Sequence, residues 1–232
     1  MTLKNILKNE NENNSKYVYR VLKNNIMNLN LKPGEFISEI SISKVLHLSR
    51  TPIREALIKL SDERLIDVIP QKKSMITKLD LNLIHESVFM RGTLEKQILS
   101  DVLELNNFDF LIKKLEKNLH FQKNIITSNT DLHDLFYLDN EFHKLIFESV
   151  NMGRVWKIIM LFNTHHSRLR LLEFLENKRT DLIIKQHENL INLLKNREIK
   201  PLQNFVNEHL SHYKINQKEL KIKYPNYFIN VQ

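Results

Sequence analysis

The sequence predicts a mainly α protein in two parts, an N-terminal winged helix-turn-helix unit and a C-terminal all-α helical bundle. Three observations lead there. Almost every segment repeats its apolar residues with a helical period. The one interruption of that period, between about residues 65 and 77, reads as two β segments joined by a turn. Only three glycines and five prolines punctuate 232 residues, 42% of them hydrophobic, which is enough apolar material for two cores.

Residues 1–14, rich in Asn, Lys and Glu, read as a flexible N-terminus. Val18, Val21, Leu22, Ile26 and Leu29 mark a first helix, Pro33-Gly34 a turn, and Ser38 the cap of a second helix carrying Ile42, Val45 and Leu46. A third helix opens within Leu48-Ser49-Arg50-Thr51-Pro52-Ile53-Arg54-Glu55-Ala56-Leu57. Ser49 or Thr51 can cap it, and Pro52 falls in its first turn, where a missing N–H costs little. Ile53, Ala56, Leu57 and Leu60 face a core, which leaves Thr51 and Arg54 on the opposite side and Arg50 on the boundary. Such a face either lies in a major groove or is an ordinary solvated basic face. Leu65 to Ile69 and Met75 to Thr77 then pair around Pro70-Gln71-Lys72-Lys73-Ser74, a hairpin with two lysines at its tip. The winged helix-turn-helix is thus expected over 15–77, followed by a glycine-free connector at 78–82.

These stretches carry a resemblance. Leu31-Lys32-Pro33-Gly34-Glu35, the string from Leu48 to Leu57, and Pro70-Gln71-Lys72 resemble the DNA-binding domain of GntR-type transcriptional regulators. The resemblance implies that Arg50, Thr51 and Arg54 contact an operator and that the wing around Lys72 and Lys73 enters a minor groove. His47, Arg64 and Lys73 stand where that family usually has glycine, so strained or differently shaped turns are expected at those points.

Beyond the connector, helices are expected at about 82–105, 108–127, 131–149, 154–175, 180–196 and 201–219. They form a helical domain over 83–220, and 221–232 is a loosely held tail. Asp139 and His143 lie one turn apart on the apolar face of Leu132, Leu135, Phe136 and Ile146. His187 continues the stripe of Leu190, Ile191 and Leu194, and His209 is bracketed by Leu202, Phe205, Val206 and Tyr213. A buried carboxylate needs a partner and buried imidazoles need their nitrogens satisfied. Either each has a local hydrogen bond, or the four together hold a divalent metal, zinc or nickel first, with manganese, iron or cobalt also compatible.

Asp139-Asn140-Glu141-Phe142-His143-Lys144-Leu145, then Gln186-His187-Glu188-Asn189-Leu190 and Asn207-Glu208-His209-Leu210, resemble the FCD ligand-binding domain of the FadR subfamily. This resemblance implies that Asp139, His143, His187 and His209 are metal ligands beside an effector site. Arg91 and Glu95 lie on the inward stripe of the domain's first helix. They are either a carboxylate clamp or an intrahelical pair. His165, on the face of Ile158, Phe162 and Leu169, is either a further effector-pocket residue or a core histidine.

No cysteine occurs, which excludes disulfides, thiolate chemistry and cysteine-ligated metal. No apolar run reaches signal-peptide or membrane-spanning length, and the formal net charge of +8 suits a polyanionic partner. The expectation is a cytoplasmic, homodimeric repressor that binds a palindromic operator in double-stranded DNA, has no membrane partner, and answers to a small carboxylate effector. The alternatives are a metal-dependent hydrolase, for which Glu95 is the one candidate base, and a metal sensor.

Overall fold

The helical period of Val18, Val21, Leu22 and Ile26 becomes α1 (Asn14–Met27), with all four side chains buried. The computed structural model describes residues 3–4, 6–69, 73–128, 131–177, 180–211 and 213–229. α2 (Glu39–Leu46) begins at a reciprocal cap, in which the Ser38 hydroxyl accepts from the Ser41 amide and the Ser41 hydroxyl accepts from the Ser38 amide. α3 (Arg50–Asp62) buries Ile53, Ala56, Leu57 and Leu60 as their spacing required. Ser49 is its N-cap by position but makes no capping bond with its side chain.

Three short strands follow the antiparallel order β1-β3-β2: β1 (Phe36–Ile37), β2 (Ile66–Asp67) and β3 (Ser74–Ile76), with Ile66 opposite Ile76 and Phe36 opposite Met75. Periodicity anticipates β2 and β3. β1 is too short to show an alternation, so it escapes that reading. Pro70, Gln71 and Lys72, the expected wing tip, lie outside the described residues. His47 and Arg64 adopt φ of +55° and +57°. Both glycine replacements therefore keep the left-handed turn that glycine favours.

Two segments expected to be loose are tied down. Asn25, fully buried in α1, accepts from the Lys4 amide at 2.8 Å and donates to the Lys4 carbonyl at 3.1 Å. Near the other end, the Leu79 amide donates to Tyr227 and the Ile229 amide donates to Leu79, with Phe228 buried between them. The winged unit is accordingly assembled from three stretches: the chain up to Ile84, Thr164–Leu169, and the chain from Glu219 onward.

The other unit takes His85–Asn163 and Arg170–Lys218. Its helices come from α4 (Leu81–Glu104), α5 (Asp109–Thr127), α6 (Leu132–Ser149), α7 (Gly153–Phe162), α8 (Thr164–Asn177), α9 (Thr180–Lys195), α10 (Ile199–Ser211) and α11 (Tyr213–Lys223). Leu115, Phe142, Ile146, Phe147, Ile159 and Leu194 are among its core residues. The helix expected over 154–175 is two helices. Asn163, fully buried, closes α7 by donating its amide to Ile159, with no glycine or proline to announce the break. The stretch expected to be helical over 201–219 is helical in α10 and α11, on either side of residue 212, which lies outside the described residues. Among the described residues no helix is long and apolar enough to cross a membrane.

Candidate functional site

α6, α9 and α10 carry the four candidate ligands on their buried faces. Asp139 and His187 are fully buried, His143 nearly so, and His209 is 9% exposed. One ring nitrogen from each of His143, His187 and His209 lies within 4.8 Å of the others. The Nε2 atoms of His143 and His209 are 3.1 Å apart, and Asp139 Oδ1 is 3.7 Å from His187 Nε2. Phe142 stacks on the His187 ring at 3.9 Å.

Behind each ligand stands a polar partner. Gln122 Oε1 meets His187 Nδ1 and Gln186 Oε1 meets His209 Nδ1, both at 2.9 Å; Glu95 Oε1 is 3.6 Å from His143 Nδ1; and Arg170 donates to Asp139 Oδ2 at 2.7 Å. In metal sites such partners orient an imidazole through one nitrogen and leave the other for the ion. None of Gln122, Gln186 or Arg170 was singled out from the sequence. A legible signal did exist for Gln122: with Asn118 it occupies the apolar stripe of Leu111, Leu115 and Leu119, where a polar side chain needs a reason.

Burial lowers the pKa of all three histidines, aided by the guanidinium of Arg91, and His187 is brought to about 4 despite the opposing Asp139 carboxylate. Burial pushes Asp139 up, but the guanidinium of Arg170, with that of Arg91, outweighs it and holds the carboxyl at about 2. Neutral imidazoles facing an ionised carboxylate are the protonation states a divalent cation requires. His187 Nε2 and Asp139 Oδ1 are both buried and bonded to nothing. A cation between them would satisfy both, so the donor set fits a metal.

Arg91 is fully buried. Its Nε pairs with Glu95, while both terminal nitrogens, Nη1 and Nη2, have no hydrogen-bond partner. The clamp and the intrahelical pair are therefore compatible, since the pair uses one edge of the guanidinium and leaves the other. The Trp156 ring lies 5.4 Å from its Cζ. Glu95, Leu99, His143 and Phe205 are among the residues around a cavity of about 10 Å³, room for about one water.

His165 does not join this group. Its Nδ1 accepts from the Asp80 amide at 3.1 Å and its Nε2 faces the Arg64 carbonyl at 3.0 Å, so both nitrogens serve the backbone of the winged unit. Of the face read for it, Leu169 is buried with it on α8, whereas Ile158 and Phe162 are exposed on α7, because the helix expected over 154–175 breaks at Asn163.

On the winged unit, Arg50, Thr51 and Arg54 are exposed along the N-terminal half of α3. Arg54 Nε donates to Glu39 Oε1 at 2.8 Å, an exposed pair across α2 and α3. Lys73 is exposed; Lys72 lies outside the described residues.

Comparison with known proteins agrees with this architecture. Residues 14–76 match the family of bacterial regulatory proteins named gntR, and residues 86–212 match the FCD domain. The chain belongs to the GntR family of transcriptional regulators with an FCD domain. Over 215 residues it is 26% identical to the HTH-type transcriptional repressor RspR of Escherichia coli K12, covering 91% of this chain and 92% of that one. It is 24% identical to the Nta operon transcriptional regulator of Aminobacter aminovorans, covering 77% and 82%. E. coli McbR/YncC has the same fold at a TM-score of 0.70 and 19% identity, covering 93% of this chain and 99% of that one. A regulator from Rhodococcus sp. RHA1 follows at 0.69 and 15%, covering 93% and 99%. The family consists of regulators, and Glu95, the base the hydrolase alternative relied on, is committed to Arg91.

Proposed function

We propose that this regulator is a homodimeric repressor in the cytoplasm whose affinity for a palindromic operator is set by a small carboxylate bound beside a metal ion. The observation that carries the reading is Arg91: a fully buried guanidinium with two unpaired terminal nitrogens, on the helix of Glu95, beside a cluster of three histidines in which the unpaired His187 Nε2 lies 3.7 Å from the unpaired Asp139 Oδ1. Leaving buried charged donors unpaired is costly, and a carboxylate accepting both would remove that cost. Asp139, His143, His187 and His209 would hold the ion, zinc or nickel by their N/O character. When bound, the metal supplies an electrophilic centre to which an effector oxygen can attach.

On the DNA side, Arg50, Thr51 and Arg54 supply base and phosphate contacts, and the lysines of the wing add charge. Two copies related by a two-fold axis would read two half-sites. Arg54 must exchange Glu39 for DNA, which tunes affinity through an exposed pair of small intrinsic value.

A route for the signal runs along one helix. Arg170 of α8 holds Asp139, and two residues earlier Arg168 donates to the Thr77 carbonyl at 2.8 Å and its hydroxyl at 3.0 Å. An acid that alters the pairing of Arg170 would alter the helix that grips the end of β3. The cavity beside Glu95 and His143 has room for about one water, so an acid of several carbons would enter there only as its lining side chains move.

The test is selection of duplexes from a random DNA pool with zinc-loaded protein, repeated after chelation and with a panel of small carboxylates. A recovered palindrome, with binding changed by one of the acids in the parent and unchanged in Arg91→Gln, is the expected result. If no sequence is enriched with or without metal and acids, the repressor reading falls. If Arg91→Gln responds as the parent does, the clamp is wrong.

A further inference from the structure

Gln122 is the partner of His187; Asn118, one turn away from it on the buried face of α5, has had no part in the function so far. Gln122 is fully buried and Asn118 nearly so. They form a chain of hydrogen bonds whose direction is set at one end. Asn118 Nδ2 donates to the Leu138 carbonyl at 3.1 Å, Gln122 Nε2 donates to Asn118 Oδ1 at 2.6 Å, and Gln122 Oε1 faces His187 Nδ1 at 2.9 Å.

A backbone carbonyl can only accept. The Asn118 atom that faces Leu138 must therefore be the amide nitrogen, which turns Oδ1 toward Gln122. Gln122 must then present its own nitrogen to Asn118 and its oxygen to His187. That oxygen also only accepts, so the hydrogen between them belongs to His187 Nδ1. The neutral imidazole has no second hydrogen, and its Nε2 is left as a bare lone pair 3.7 Å from Asp139 Oδ1. This accounts for two buried atoms that bond to nothing: neither has a proton to give the other.

We propose that Asn118 and Gln122 are positioning residues of the metal centre, a one-way relay from the Leu138 carbonyl that holds His187 with its proton on Nδ1 and its Nε2 turned to the ion. The proposal rests on the metal reading. Its consequence is specific. In the opposite tautomer Nε2–H would donate to Asp139, and the two ligands would satisfy each other. The relay forbids that internal pairing and keeps both ligands available. Flipping Gln122 to suit the other tautomer would set its oxygen against Asn118 Oδ1, and flipping Asn118 in turn would set an oxygen against the Leu138 carbonyl. His209 also has a glutamine oxygen at its Nδ1, that of Gln186 at 2.9 Å.

The experiment uses the full chain. Ring nitrogen chemical shifts of His187 are recorded on isotope-labelled, metal-free protein, and zinc dissociation constants are measured by competition with a chromophoric chelator. The parent is expected to show the Nδ1–H tautomer. Gln122→Met, of similar volume but without the relay, is expected to shift His187 toward Nε2–H and to weaken zinc binding by about 10- to 100-fold. Gln122→Glu, which still accepts from Nδ1, is expected to retain the Nδ1–H tautomer and recover most of the affinity. An Nε2–H tautomer in the metal-free parent would overturn the relay without any variant. So would Gln122→Met binding zinc as the parent does while His187 keeps its proton on Nδ1. If the parent shows Nδ1–H but binds no zinc, the metal reading fails, and with it the relay's role.

Discussion

Protonating His165 would place a hydrogen on Nδ1 directly against the Asp80 amide that now donates to it. Burial first, then the Arg168 guanidinium, brings this histidine to about 3. In the unfolded chain it titrates near 6.5. Between those values the unfolded chain takes up a proton that the folded one refuses, so stability is full above pH 6.5 and falls as the pH drops toward 3. His165→Gln removes that titration. The stability of the parent relative to His165→Gln is therefore expected to decline by about 1.4 kcal/mol per pH unit between pH 6 and 4. Urea midpoints across that range measure it. A difference that stays flat with pH would mean that His165 titrates alike folded and unfolded. The metal-site histidines are common to both proteins, so their contribution cancels from the difference.

At the scale of the elements, the glycine-poor turns yield a second expectation. His47 closes α2 and Arg64 follows α3, both with positive φ, as do Asn11, Leu29, Asn151 and Arg197. A side chain in this region costs about 1–2 kcal/mol, of which a glycine recovers part, since it also loosens the unfolded chain. Arg64 offers the clean case because its side chain is exposed while its carbonyl serves Thr77 and His165. Arg64→Gly is expected to raise stability by about 0.5–1 kcal/mol with the DNA-facing residues untouched. A lower denaturation midpoint would show that the turn is not strained. The turns at His47 and Arg64 were legible because the missing glycines stood in a recognisable string; those at Asn11, Leu29, Asn151 and Arg197 were not read from the sequence. The division of α7 from α8 was not, since Asn163 carries no turn signature and the apolar period runs on through it. The burial of Asp139, His143, His187 and His209 was legible from their place on apolar stripes, and that of Arg91 with Glu95 by the same reasoning. Arg170 and Gln186 were not, because their partners come from distant helices. For His165 the sequence left open an effector-pocket residue or a core histidine, and its two backbone partners match the second; periodicity shows that a side chain is buried without showing against what.

For the whole molecule, the consequence of the architecture is that the winged unit cannot be cut out at the connector. The glycine-free segment at 78–82 looks like a boundary in the sequence, yet the unit also includes Thr164–Leu169 and the chain from Glu219 onward. A fragment of residues 1–80 would lose Arg168 from the Thr77 carbonyl and hydroxyl, His165 from Arg64 and Asp80, and Tyr227 and Phe228 from Leu79. Each loss exposes a backbone group or an apolar surface that the intact chain covers, and an uncovered buried polar group alone costs about 1–3 kcal/mol. The fragment is expected to unfold at lower temperature than the winged unit within the full chain, with fast hydrogen exchange at the Leu79 amide. Phe228→Ala in the full chain should reproduce part of the effect, about 3–5 kcal/mol, and should leave unchanged the zinc binding proposed for Asp139, His143, His187 and His209. A fragment that melts where the intact winged unit does, with Leu79 still protected, would show that the two returning segments rest on the unit without supporting it. Otherwise the returning α8 segment and the chain around Phe228 are structural parts of the winged unit.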